Sequence, residues 1–278
     1  MTPPRLHVLT ATKSAKAVVL RRGPTGRVAS IGWDRATGAI EVGQWLAGRI
    51  YEHRSDISPD GQHMIYFAGK GGMRWWTAIS RAPWLHALVL LPQNSTWGGG
   101  GAFTPDGEVW LNGHGMVPEL AVGTAKSAGF GVRQAANLRA YPHSTDGFHM
   151  GDTYVARMAE RGWQHVFGTG FDAVLTREIA DGWQLELRFA VMQANRSAIT
   201  NRYALLHPAS GLRLPQPDWE WAEPWQGQVQ VAAKGALVQA RLNGNGAMAD
   251  IKHIHDFSAM QPGWVRAPYD DRPAGEQP

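Results

Sequence analysis

The sequence predicts an all-β protein, a propeller of five blades with six as the alternative count, and one long inserted loop. Three observations carry this. Runs with strand patterning recur along the chain while helical patterning is confined to two segments. Glycine is abundant, 33 of 278 residues, and is joined by 13 tryptophans; that pairing suits short strands, tight turns and large wedge-filling side chains. The turn Ser58-Pro59-Asp60-Gly61 returns 46 positions later as Thr104-Pro105-Asp106-Gly107, each copy followed by an apolar run, and a four-stranded propeller blade takes roughly 40–50 residues.

Taken in order, "AKAVVLRR" and "RVASIGWD" flank "GPTG" and read as a hairpin, which "GQWLAGRIYEHR" continues. The first repeated turn follows. Its proline presets φ, its aspartate can bond its own turn, and its glycine accepts positive φ. "HMIYFAG", "WWTAIS" and "HALVLLP" are three short strands. Beyond the second copy, "AVGTAKSAGFGVRQAANL" and "DTYVARMAERGW" are the two helical segments, and "AYPHSTDGFHMGD" reads as an insertion within residues 120–160. "WQLELRFAV" alternates as a half-buried strand does. Asp181-Gly182 and Lys234-Gly235, 53 positions apart, are hairpin tips. The domain is expected to span 1–272, with 273–278 as a tail.

The matching stretches also support a resemblance. "DISPDGQHMIYFAG" is similar to the strand-turn-strand unit of the Tol-Pal periplasmic propeller. "GQWLAGRIYEHRSDISPDG", "WTAISRAPWLHALVLLP", "WGGGGAFTPDG", "PDWEWA", "LVQARL" and "HIHDFSAM", over most of residues 43–260, resemble a family of uncharacterised bacterial proteins. The resemblance implies a propeller-type repeat fold and carries no activity.

Composition narrows the chemistry. There is no cysteine, so disulfides, thiolate metal sites and cysteine nucleophiles are excluded. The longest strongly apolar run is "ALVLL", far short of the ~20 residues a membrane helix needs, and the first residues lack a secretory apolar core; a cytoplasmic protein with no membrane association is expected. The formal net charge is +4, and Arg5, Lys13, Lys16, Arg21, Arg22 and Arg27 all precede the first acid, Asp34. No recognition helix, zinc spacing or stacking platform accompanies that charge, which argues against nucleic acid; cations also protect an edge strand.

Five stretches are candidates for a binding site. In "YEHRSDI", strand alternation puts Glu52, Arg54 and Asp56 on one face, either as a channel-facing polar site or as an ion-paired brace between blades. In "TWGGGGAF", Trp97 stands beside four glycines, which allow close packing or ligand approach and form no phosphate loop. "YPHSTDGFHMGD" holds His143, Asp146, His149 and Asp152 at no familiar zinc spacing; an exposed insertion contacting a partner is the stronger reading. In "PDWEWAEPW", Trp219 and Trp221 share one strand face opposite Glu220, with core packing favoured over a sugar platform. "KHIHDF" places His253 and His255 two apart on one face, again read as structural. No nucleophile elbow, metal site or cofactor motif is present. The expected function is a non-enzymatic scaffold or adaptor that binds another protein in a bacterial multi-protein system. The alternative is a carbohydrate-binding or glycoside-hydrolysing propeller using funnel carboxylates and tryptophans.

Overall fold

The computed structural model describes residues 2–23, 26–71, 74–94, 96, 99–111, 118–133, 150–168, 172–191, 199–271 and 273. The first sheet runs in chain order through β1 (Arg5–Thr10), β2 (Lys16–Arg22), β3 (Arg27–Asp34) and β4 (Ile40–Ala47), all antiparallel. In the second, β5 (Arg49–Ile50) and β6 (Asp56–Ile57) both pair with β7 (His63–Lys70), which continues to β8 (Arg74–Arg81) and β9 (Ala87–Gln93). A small third sheet contains β10 (Gly101–Phe103), β11 (Val109–Leu111) and β12 (Val132–Arg133), with α1 (Pro118–Ser127) between the last two. After α2 (Met150–Glu160) come β13 (Gln164–Phe167), β14 (Val174–Ala180), β15 (Trp183–Val191), β16 (Ile199–His207) and β17 (Leu212–Gln216) in one sheet. The last sheet is β18 (Trp219–Trp225), β19 (Gln228–Ala233), β20 (Ala236–Leu242) and β21 (Met248–Asp256).

The protein is therefore an all-β propeller, as the sequence predicts, but with four blades rather than five or six. The second Pro-Asp-Gly turn accounts for the difference. It forms as expected, with Gly107 N donating to Thr104 O at 2.9 Å and Gly107 at φ 83°. Yet it joins two strands of only three residues, and the chain then enters α1 and returns as β12, parallel to β11. That turn marks a hairpin rather than a blade. The small sheet packs through β10 against β6 and β7 of the second blade.

Strand alternation builds the interfaces between blades. On β2, Val19 faces the cluster that holds Trp33, Trp221 and Phe257, between the first and last blades. Its neighbours Val18 and Leu20 face the opposite way, into the cluster of Ile57, Met64 and Tyr66 shared with the second blade. On β7, Met64 and Tyr66 face that same interface, whereas Ile65 packs with Phe103, Val109 and Leu111 of the small sheet. A strand sandwiched between two neighbours must be apolar on both faces, hence the unbroken "AVVL". Each fully buried aliphatic contributes roughly 1.5–3 kcal/mol. Burial falls toward the outer strands; β17 and β21 are mostly exposed.

The repeated turn at 58–61 works as its residues suggest. Gln62 N donates to Asp60 Oδ1 at 3.0 Å, His63 N donates to Ser58 Oγ at 2.9 Å, and Gly61 takes φ 76°. The glycines at 99–101 are packing glycines: a side chain would strike Phe67 from Gly99, the Arg54 carbonyl from Gly100 and the Trp110 carbonyl from Gly101.

After β21 the chain crosses back as an extended strap, residues 257–271, over the first blade to the second. Phe257 is fully buried, and its carbonyl accepts Arg21 Nε at 3.2 Å. Gln44 Nε2 donates to Val265 O at 2.8 Å, and Tyr269 Oη donates to His86 O at 2.6 Å.

Candidate functional site

The inner strands of the blades and helix α2 converge on two adjoining polar clusters. In the first, Asp56 and Glu223 are each paired with two arginines, although Arg35 Nη2, Arg157 Nε and Glu223 Oε2 are buried without a hydrogen bond. Asp56, 1% exposed, receives Arg161 Nη2 at 2.7 Å and lies 3.4 Å from Arg157 Nε, while its other oxygen accepts the Phe103 amide at 3.0 Å. Arg161 also donates to Thr10 O at 3.1 and 2.9 Å and to Arg157 O at 2.9 Å. Burial alone would lower the Arg161 pKa, but Asp56 and Glu223 outweigh it and hold the guanidinium protonated; at Arg157 burial prevails and the pKa moves down. Glu223 anchors the other half. Arg35 and Arg177 each approach it at 3.1 Å, and Thr10 Oγ1 donates to it at 3.2 Å. Arg35 donates onward to Gln230 Oε1 at 2.8 Å and lies 4.2 Å above the Trp225 ring. One blade's carboxylate meets another element's cation at each step, so the cluster fastens α2 and all four blades together.

The second cluster surrounds a small pocket of about 30 Å³, lined among others by Arg5, His7, Arg22, Glu52, His53, Thr200, Asn201 and Glu220. A water needs about 10–15 Å³ of such space, so the cavity holds one functional group or a water or two. His53 Nε2, Thr200 Oγ1 and Asn201 Oδ1 are buried with no well-formed hydrogen bond, although the Asn201 side chain lies close enough to His53 to pull its pKa upward. Asn201 is oriented by its amide, which donates to Tyr154 Oη at 2.8 Å and Tyr203 Oη at 3.3 Å. His53 packs between His7, Tyr154 and Phe189 at ring separations of 5.1, 5.0 and 5.2 Å. Burial pushes its pKa down to about 4 against the pull of Glu52, and burial also lowers His7. Both imidazoles are neutral at pH 7. Glu52 is 3.5 Å from Arg22, and Glu220 is 3.8 Å from Arg5 and accepts the Leu6 amide at 2.7 Å. Burial raises both carboxylates; at Glu52 the nearby His53 and Arg22 reverse the sign and lower it, whereas Glu220 stays raised.

Glu52 and Glu220, distant in sequence, thus line one pocket, and Asp56 belongs to the neighbouring cluster. Arg54 joins neither: it donates to Thr96 O and lies over the Phe67 ring. The expected sharing of one face fails because Glu52–Arg54 is a 3-10 turn, closed by Arg54 N to Tyr51 O, so period-two alternation does not apply. Trp219 and Trp221 are core residues, as favoured, but they do not share a face. A bulge lies between them, and they enter different clusters, Trp219 with Leu205 and Val229, Trp221 with Trp33 and Phe257. That bulge aims Glu220 at the pocket. Trp97, His143 and His149 lie outside the described residues; Asp152 falls in α2, and its side chain is not among those described. His253 and His255 lie exposed on β21, and the described residues contain no group of three metal-ligating side chains.

Sequence reasoning missed α2 as a functional element. Tyr154, Arg157 and Arg161 sit three and four apart, one face of a helix, and two cations on a predominantly buried face demand buried anions. Asn201, Thr200 and Glu223 carried no signal beyond their place in inner strands.

No family model and no curated protein matches the chain. Among solved structures, it is similar to a crystal structure of an uncharacterized protein from Listeria monocytogenes EGD-e, at 8% sequence identity and a TM-score of 0.32, with 86% of this chain and 63% of that one covered. The chain spans less than two thirds of that protein, and a TM-score at this level supports no argument about fold or activity. No helix among the described residues is long and apolar enough to cross a membrane.

Proposed function

We propose that the protein is a non-enzymatic binding module that takes an uncharged polar group of a partner protein, an amide or hydroxyl, into the axial pocket. The observation that carries this is the trio of buried atoms without a well-formed hydrogen bond, His53 Nε2, Thr200 Oγ1 and Asn201 Oδ1, around a cavity the size of one functional group. Leaving such atoms unmade costs about 1–3 kcal/mol each; a group that satisfies them recovers it. Glu52 and Glu220 are balanced by Arg22 and Arg5, so the lining favours a neutral group over an ion. The remainder of the ligand must rest on the rim, where Arg5 is half exposed, which suits a macromolecule. The test is capture from a lysate of the source organism with wild type, Thr200→Val and Asn201→Leu. A stoichiometric partner held by wild type and lost by both variants is the expected result; equal capture by all three refutes the reading.

A second reading, glycoside hydrolysis, has one observation in its favour. The Glu52 and Glu220 carboxyls line the same pocket with pKa values moved in opposite directions, the pattern of an acid and its partner base. The cavity, however, is far below the ~300–1,000 Å³ of small-molecule sites and admits no sugar ring. Release of nitrophenol from an aryl glycoside by wild type, abolished in Glu220→Gln, would favour hydrolysis over simple binding.

A further inference from the structure

A second cavity, remote from the axial pocket, is of ligand size. It lies between the first and second blades and encloses about 530 Å³, within the ~300–1,000 Å³ typical of small-molecule sites. Residues of β2, β3 and β4 form one wall; the Ser58–Gly61 turn and the residues after β8 form the other, and the strap closes one end with Pro268 and Tyr269. Trp33 contributes to the inner end, but its ring, 1% exposed, packs with Trp221 on the opposite face of β3, between the first and last blades, and does not face the cleft. Trp84 and Tyr269 are half-buried on the walls.

The charges in this cleft are balanced. Lys16 and Arg81 face Asp34 and Glu41. Lys16 pairs with Asp34 at 3.3 Å, and the Arg81 guanidinium lies 5.0 Å over the Tyr269 ring. The Glu41 carboxylate and the Arg81 guanidinium have no hydrogen bond or ion pair among the described residues. Three features therefore coincide: aromatic walls, one unpaired donor fork and one unpaired acceptor. An anionic ligand would meet Asp34 and Glu41. A purely apolar one would desolvate charged groups without compensation, which is costly.

We propose that this cleft binds a neutral oligosaccharide. A sugar ring offers an apolar C–H face to the Trp84 indole and hydroxyls that both donate and accept. Carboxylates accept from those hydroxyls, while the guanidinium N–H groups donate to them. This site is independent of the axial pocket and shares no residue with it.

The test is isothermal titration of the intact protein with cellopentaose, maltopentaose, xylopentaose and mannopentaose, beside a proline-rich decapeptide and a sulfated oligosaccharide. Saturable binding of at least one neutral pentasaccharide is expected, weakened about tenfold in Trp84→Ala, the scale of a lost ring contact, and several-fold in Glu41→Gln. Glu41 is exposed, so its variant reports on binding even where Trp84→Ala disturbs folding. Thr200→Val, in the axial pocket, should leave the titration unchanged. Four silent neutral sugars, preference for the peptide or the sulfated sugar, or binding indifferent to both cleft variants would each overturn the proposal.

Discussion

The two axial clusters are made of the same kinds of residue, carboxylates, arginines and hydroxyl or amide groups, a few ångströms apart. Around Asp56 and Glu223 each anion faces two arginines. Around His53, three polar atoms are buried and unmatched. Burial and unmatched atoms are common to both, since Arg35 Nη2, Arg157 Nε and Glu223 Oε2 also lack a hydrogen bond; what separates them is that the first is knit by ion pairs whereas the second borders a cavity. A network of buried ion pairs loses much when one partner is removed, whereas unmatched atoms beside a cavity can be satisfied by a bound group or by water.

Breaking the ion-paired side should have the largest effect. Asp56→Ala strands Arg157 and Arg161 and frees the Phe103 amide; removing one partner from a buried pair costs about 3–5 kcal/mol, read as a lower denaturant midpoint at unchanged slope. Next comes acidification. The His53 pKa lies near 4 in the folded protein and near 6.5 when unfolded. The unfolded chain therefore takes up this proton first, and stability falls as pH drops from about 6.5 toward 4, by roughly 3 kcal/mol for this group. His7 acts in the same direction and Glu220, raised by burial, opposes both. Urea titrations between pH 7.5 and 4.5 should show the decline, and His53→Gln should flatten it.

The side that borders the cavity should respond differently. Thr200→Val removes a hydroxyl that has no partner and should change stability by about 1 kcal/mol or less, in either direction, while abolishing partner capture. A large loss of stability would mean the hydroxyl is structural and would erase the contrast. The smallest effect is expected at the surface. Arg213 meets Glu186 at 2.6 Å, as close as Arg161 meets Asp56, but its side chain is 54% exposed. Arg213→Ala should cost no more than about 1 kcal/mol, so the same distance carries several-fold different worth.

Much of this fold is legible in the residues. The tips at Asp181-Gly182 and Lys234-Gly235 adopt the paired positive φ that such dipeptides favour, 52° and 79°, then 51° and 83°. Gln226-Gly227 makes the same turn, 50° and 73°, without announcing itself, because glutamine is not a habitual first residue there. Blade number was not legible: a turn motif specifies two strands locally, and whether two more follow depends on the chain beyond it. The site was half legible. Glu52 and Glu220 could be nominated as polar residues within apolar strands. Their meeting depended on a 3-10 turn and a bulge, both departures from strand period, and the arginines of α2 could be ranked only once the helix was seen to sit against the axis.

The strap has a consequence for the birth of the molecule. Residues 257–271 supply contacts to Arg21, Gln44, Arg81 and His86 across separations of 236, 221, 188 and 183 positions. Contacts between such distant positions form slowly, since a long loop must close first. On the ribosome the first blade waits, its face toward Phe257 uncovered, while the 236 positions that separate Arg21 from Phe257 are made. Through that interval the blade most needs protection from aggregation.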